Sequence, residues 1–188
     1  MLSQMVLEGK NILLRALERE DLKQLHKWQN DGDIMRLARS YPDNMISMEA
    51  LEHEYDKAIK GEDQEKQVFI IQERSSGKPI GWASIRHWGR KAVSADIGLA
   101  IGEKKHWRKG YGTEVTRLLQ HEVFEQQGLH RAEWWTNSDN KGSLALAKKM
   151  GFKEEGRLRD AVFYDNRFHD IIALGVLRKE YEARRRGN

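Results

Sequence analysis

The stretch Trp107-Arg108-Lys109-Gly110-Tyr111-Gly112-Thr113-Glu114 decides how this chain is read. An apolar run, Ile97 to Ile101, precedes it, and a helical pattern follows to about Gln127. Strand, basic glycine turn and helix in that order make an anion site. The first amides of a helix have no intrahelical partner and lie at the positive end of its dipole. Glycine lets that backbone come close to a phosphate. Two familiar phosphate loops are excluded. A G-x-G-x-x-G fingerprint starting at Gly110 meets Val115 at its third glycine, and a P-loop needs a lysine that Gly112-Thr113-Glu114 lacks.

The remainder predicts one domain of mixed structure. Strands are expected at Asn11–Leu17, Gln67–Gln72, Pro79–Trp88, Ser94–Ile101 and His130–Thr136. The turn Ser75-Ser76-Gly77-Lys78 joins the second and third. Helices are expected over Glu18–Gln29, from a Ser47 cap to about Lys60, over Gly110–Gln127, and over Asn140–Met150. Gly61, Gly128 and Gly151 stop the last three. Asp31–Ser47 is a mixed segment with a loop at Tyr41-Pro42-Asp43-Asn44. A long hairpin, Phe152–Tyr164 and Arg167–Leu177, turns at Asp165-Asn166. The expected fold class is α/β (α+β), with a mixed, mostly antiparallel central sheet and helices on both faces. The domain is read as residues 1–188, with its core at about 10–181 and 182–188 a basic, solvated tail.

Composition bounds the chemistry. The chain has 188 residues, 39% hydrophobic and 33% charged, with net charge +4. No apolar run reaches the roughly 20 residues of a membrane span, and Met1–Arg15 lacks the pattern of a secretory signal. A cytoplasmic protein is expected. The absence of cysteine excludes a thiol nucleophile and thiolate metal sites. The seven histidines, at 26, 53, 87, 106, 121, 130 and 169, form no metal-binding helical pair, so no metal is expected. No nucleic-acid signature accompanies the basic end.

A second group of residues narrows the ligand: Asn140-x-x-Ser143, then Lys149-Met150-Gly151-Phe152. Together with the glycine turn, the chain resembles the GNAT family of acyl-CoA-dependent N-acetyltransferases over nearly its whole length. Trp107, the Asn140–Ser143 pair and Asn166-Arg167-Phe168-His169-Asp170 resemble its Rim-type branch, the ribosomal-protein N-terminal acetyltransferases. The wider family has Gln or Arg where Trp107 stands, a departure that the Rim-type branch shares.

The resemblance implies a GNAT-like domain and acetyl-CoA as cosubstrate. By that likeness the amides of Arg108, Lys109, Gly110, Tyr111, Gly112 and Thr113 would cradle its pyrophosphate. Lys104, Lys105, Arg108 and Lys109 would reach further phosphates. The strand Asp96–Ile101 would lie beside the pantetheine arm, with Leu99 and Ile101 as cofactor contacts and the Leu99 N–H polarising the thioester carbonyl. Asn140 would contact CoA, or serve simply as a helix N-cap. Asp96 would act as a base through water. The tyrosine acid of many relatives would fall at Ala147, so Ser143 is the candidate to stabilise the leaving sulfur, with Tyr164 a distant backup. Arg36–Asn44 and the Asp165 hairpin would border the acceptor.

With no cysteine, the amine must attack directly and must be neutral. An α-amine with pKa about 7.8 costs about 1 kcal/mol to deprotonate at pH 7, and an alkylamine near about 10.4 costs roughly 4.6 kcal/mol. The Rim-type likeness implies a protein or peptide N-terminal α-amine as the first acceptor, and this is the one that needs less help from a base. A polyamine such as spermidine, or an aminoglycoside, is the second, for which Glu49, Glu52, Glu54 and Asp56 could offer an acidic wall. A non-catalytic acyl-CoA sensor is the third reading. The partners expected are acetyl-CoA and an amine acceptor, with a homodimer open, no membrane and no nucleic acid.

Overall fold

The computed structural model describes residues 6–38, 45–87 and 93–187. The loop expected at Tyr41–Asn44 and the strand end at Trp88 lie outside them. Eight strands form one sheet: β1 (Leu7–Glu8), β2 (Ile12–Ala16), β3 (Lys66–Glu73), β4 (Pro79–His87), β5 (Ser94–Ile101), β6 (Arg131–Asn137), β7 (Lys153–Tyr164) and β8 (Arg167–Leu177). Their order across the sheet is β1-β2-β3-β4-β5-β6-β8-β7. Neighbours run antiparallel except β5 and β6, which are parallel.

Helices α1 (Leu22–Gln29), α2 (Gly32–Ala38) and α3 (Met48–Ile59) cover one face. Leu22, Leu25, Trp28, Ile34, Met35, Leu51 and Tyr55 pack there on Val68 and Ile70 of β3. Helices α4 (Tyr111–His121), α5 (Lys141–Lys149) and α6 (Arg178–Arg186) are on the other face. Their Val115, Leu119, Ala147 and Tyr181 join Phe69, Ile71, Ile85 and Ile97. β3 is apolar at every central position because alternate residues enter different cores.

Local chemistry explains the boundaries. Ser47 Oγ accepts from the Ala50 N–H at 3.1 Å, as an N-cap should. Asp31 caps α2, taking the Asp33 and Ile34 amides at 3.0 and 3.3 Å. Asp165 and Asn166 both have positive φ, 49° and 59°, which suits the two-residue hairpin turn between β7 and β8. α4 passes at Glu122 into a π-helical turn, Glu122–Gln126.

The basic end departs from the solvated tail expected. It continues α6, stacking Tyr181 on Phe124 at 4.7 Å. Arg184 donates to Gln120 Oε1 at 2.6 Å, while Gln120 Nε2 donates to the Met150 carbonyl. Arg185 pairs with Glu125 at 2.6 Å. These partners lie on α4, its π-helical turn and the end of α5, so the arginines fasten a helix down.

Candidate active site

The β5–β6 pairing lasts three rungs, Ser94–Arg131, Ala95–Ala132 and Asp96–Glu133. Beyond Asp96 the two strands part, while β4 follows β5 to Ile101. A cleft of about 620 Å³ opens between them. The Ile101 carbonyl takes the Trp107 indole N–H at 2.7 Å. Ala100 turns its carbonyl the other way, toward Gly81 of β4, where a Cβ on the glycine would come within 2.2 Å. Backbone groups alternate sides along a strand, so Leu99 shares the edge of Ile101. That edge is the one β6 leaves uncovered.

The glycine turn closes one part of the cleft. Arg108 and Gly110 both take left-handed conformations, φ 61° and 87°. Gly110 is the N-cap of α4, and its carbonyl accepts the Thr113 and Glu114 amides at 3.0 and 3.2 Å. Among the described residues, the amides from Arg108 to Gly112 make no backbone hydrogen bond. The space a Gly110 side chain would enter is open for 4 Å. Free amides, a positive helix end and open space make a cradle that fits a pyrophosphate.

Leu99, Ile101, Arg108, Gly110, Tyr111, Gly112, Thr113, Asn140 and Ser143 all line the cleft. Lys109 does not; it stands exposed at the tip of the turn, between the two left-handed residues. The Thr113 amide is spent within the turn. Lys104, expected to reach a phosphate, is held by Asp31 and Asp33 at 3.0 and 2.6 Å and ties the turn after β5 to the start of α2.

Asp96 also lies outside the lining, on the last paired rung. Burial pushes its carboxyl up to about 6; Arg86 opposes the rise and Glu133 adds to it. By strand alternation it shares a sheet face with Gly98 and Ala100, which do line the cleft.

Asn140 caps α5, its Oδ1 accepting the Ser143 N–H at 3.0 Å. Its Nδ2 donates to the Leu37 carbonyl at 2.9 Å, joining α2 to α5. Ser143 Oγ accepts from Trp134 Nε1 at 2.9 Å. Ala147 is fully buried in the core.

Sequence reasoning missed Asp139. It lines the cleft, takes a hydrogen bond from the Tyr164 hydroxyl, and lies near buried His169. Burial, then that bond, pushes the Tyr164 hydroxyl up to about 12, a weaker acid than an ordinary tyrosine. Its partners lie on a different strand pair, and no local spacing signals them. Arg36 meets Asp165 at 3.4 Å, so the two segments expected to border the acceptor touch each other.

A sequence profile described as an acetyltransferase (GNAT) domain matches residues 11–153. The chain belongs to the GNAT acetyltransferase family. This GNAT chain is 28% identical to the spermidine N(1)-acetyltransferase of Vibrio cholerae over 92% of its own length and 96% of that protein. It is 30% identical to Bacillus subtilis YdaF, provisionally named a ribosomal N-acetyltransferase, over 57% of this chain and 58% of YdaF. A crystal structure of Vibrio cholerae spermidine N-acetyltransferase in complex with CoA and spermine superposes with TM-score 0.81. It covers 93% of this chain and 99% of that one at 26% identity. The protein is an acetyl-CoA-dependent N-acetyltransferase. Among the described residues no helix is long and apolar enough to cross a membrane.

Proposed function

We propose that this enzyme acetylates the N-terminal α-amine of a protein or peptide, as in the Rim-type branch. The observation that carries the reading is the charge of the cleft. Among the described lining residues the charged groups are Arg108, Lys141 and Asp139, with His106 as a further titratable group. One carboxylate against two cations suits a polyanionic cosubstrate better than a polycationic acceptor. Two of the four acidic residues of α3 are already paired. Asp56 pairs with Lys60 at 2.7 Å and with Arg19 at 3.5 Å, and Glu54 lies 3.9 Å from Lys66.

In this reading acetyl-CoA supplies an activated acyl group whose thiol leaves as the amine attacks. The amides of Arg108 to Gly112 bind its pyrophosphate, and the uncovered edge of β5 holds the arm, with the Leu99 N–H placed to polarise the thioester carbonyl. Ser143, its oxygen held by Trp134, donates its proton in a hydrogen bond toward the leaving sulfur. Asp96 draws the amine's proton through water from the vertex of the split, and a carboxyl near 6 is a stronger base than an ordinary one.

A spermidine-type acceptor is the second reading, favoured by the Vibrio cholerae relatives. Thiol release from acetyl-CoA decides between them. Peptides with free α-amines should be acetylated well ahead of spermidine and aminoglycosides. Faster turnover of spermidine would replace the first reading with the second. Tight CoA binding without release for any amine would leave the sensor.

A further inference from the structure

Asp139 stands in the cleft wall immediately before the Asn140 cap of α5. Its Oδ1 accepts from the Tyr164 hydroxyl, and its Oδ2 lies 3.6 Å from His169 Nδ1. The Tyr164 ring lies flat on the His169 imidazole, 3.8 Å between centroids with 3° between planes. His169 Nε2 is 3.3 Å from the Tyr164 carbonyl, which can only accept, so that nitrogen carries a proton. His169 is buried, whereas the Asp139 side chain is 23% exposed. A stacked pair of rings therefore stands behind one accessible carboxylate and fixes its direction.

Helix capping does not account for this arrangement, because Asn140 caps α5. Nor does an internal ion pair with Lys or Arg, since among the described residues none is formed by Asp139. Asp139 is also the one carboxylate among the described lining residues. Bound by a single phenol hydrogen, it keeps lone pairs for a cation. Trp135, 44% exposed, lines the same cleft and adds an aromatic face, a second attraction for an ammonium group.

We infer that Asp139 is the seat for the ammonium group of the incoming acceptor, with Trp135 against the atoms that follow it. Tyr164 and His169 are positioning residues that hold the seat. The inference rests on an amine acceptor, as proposed above, though not on which amine.

The test is Asp139→Asn in the full chain, assayed with acetyl-CoA and either an Ala-initiated peptide or spermidine. The KM of the accepted amine should rise about tenfold or more, since a charge-assisted bond is lost, while the KM of acetyl-CoA stays within twofold. Tyr164→Phe, which keeps the charge and frees the carboxylate, should raise the amine KM by about threefold with kcat little changed. An unchanged amine KM in Asp139→Asn, or a parallel rise in both KM values, overturns the inference. Acetylation of spermidine alone overturns the peptide reading and leaves the seat to be judged by the spermidine KM. If neither amine turns over, calorimetry of each amine with the CoA-loaded protein reads the seat directly. Weaker binding by Asp139→Asn supports it; equal binding, or none by the unaltered protein, overturns it.

Discussion

Trp134 Nε1 donates to Ser143 Oγ at 2.9 Å, so an indole rather than a base fixes the one hydroxyl at the start of α5 that faces the cleft. The bond occupies an oxygen lone pair and leaves the hydroxyl proton to be donated elsewhere.

Ser143→Ala should therefore act on the chemical step. A fall in kcat of about tenfold to a hundredfold is expected, below the full effect of an oxyanion-hole donor, with little change in the KM of acetyl-CoA. Trp134 is buried, and its stranded N–H should cost about 1 to 3 kcal/mol of stability. Steady-state kinetics beside a thermal melt separate the two effects. An unchanged kcat would show that the leaving sulfur is handled by another group.

Gly110→Ala tests the cradle through the backbone. Its φ of 87° puts a strain of roughly 1 to 2 kcal/mol on any L-residue, although no protein atom lies within 4 Å of the new Cβ. A melting temperature only slightly lowered, with CoA affinity down at least tenfold by calorimetry, is the expected pair of results. Affinity retained within twofold would move the pyrophosphate away from this turn.

Asp96 predicts a pH signature in stability. The folded protein holds this proton up to about pH 6, whereas an unfolded aspartate releases it near about 3.9. The residue is neutral toward stability below about pH 4 and becomes unfavourable as pH rises to about 6, by on the order of 2 to 3 kcal/mol. Asp96→Asn should melt higher than the unaltered protein at pH 8 and equally at pH 4. Its kcat/KM should also lose the rising limb near pH 6. A limb that persists would assign the base elsewhere.

Removal of residues 182–188 should destabilise the protein. Arg184 bridges Gln120, and Arg185 pairs with Glu125, so α6 would lose its last turns and two ties to α4 and its π-helical extension. Loss of about 1 to 3 kcal/mol in urea unfolding is expected, at the scale of a broken partly buried hydrogen-bond network. Unchanged stability would return these residues to the solvated tail that their charge alone implied.

Features set by neighbours in sequence were legible: β5 over Ser94–Ile101, the Ser47 and Asn140 caps, and the Asp165-Asn166 turn. Each depends on side chains within a few residues of one another. What escaped depends on register across the sheet. Lys104 finds Asp31 and Asp33 some 70 residues earlier. Asp139 meets Tyr164 and His169 only because β8 lies beside β6. α2 is hidden within the mixed segment Asp31–Ser47 because its seven residues are too few for a periodic signal, and its last turn is held by long-range contacts.

The three-rung pairing of β5 and β6 has a mechanical consequence. β-Sheets resist bending through continuous ladders, and here continuity across the middle rests on the rungs of Ser94–Asp96 and on the Val93 carbonyl, which takes the His130 and Arg131 amides. Within the one sheet, β1 to β5 and β6 to β8 are two plates joined by that short seam and by the core they share. In the proposed binding mode, a ligand arm laid along the uncovered edge would act as a splint across them. Donor binding should then slow amide exchange in both plates at once, and substrate supply would set the rigidity of the whole enzyme.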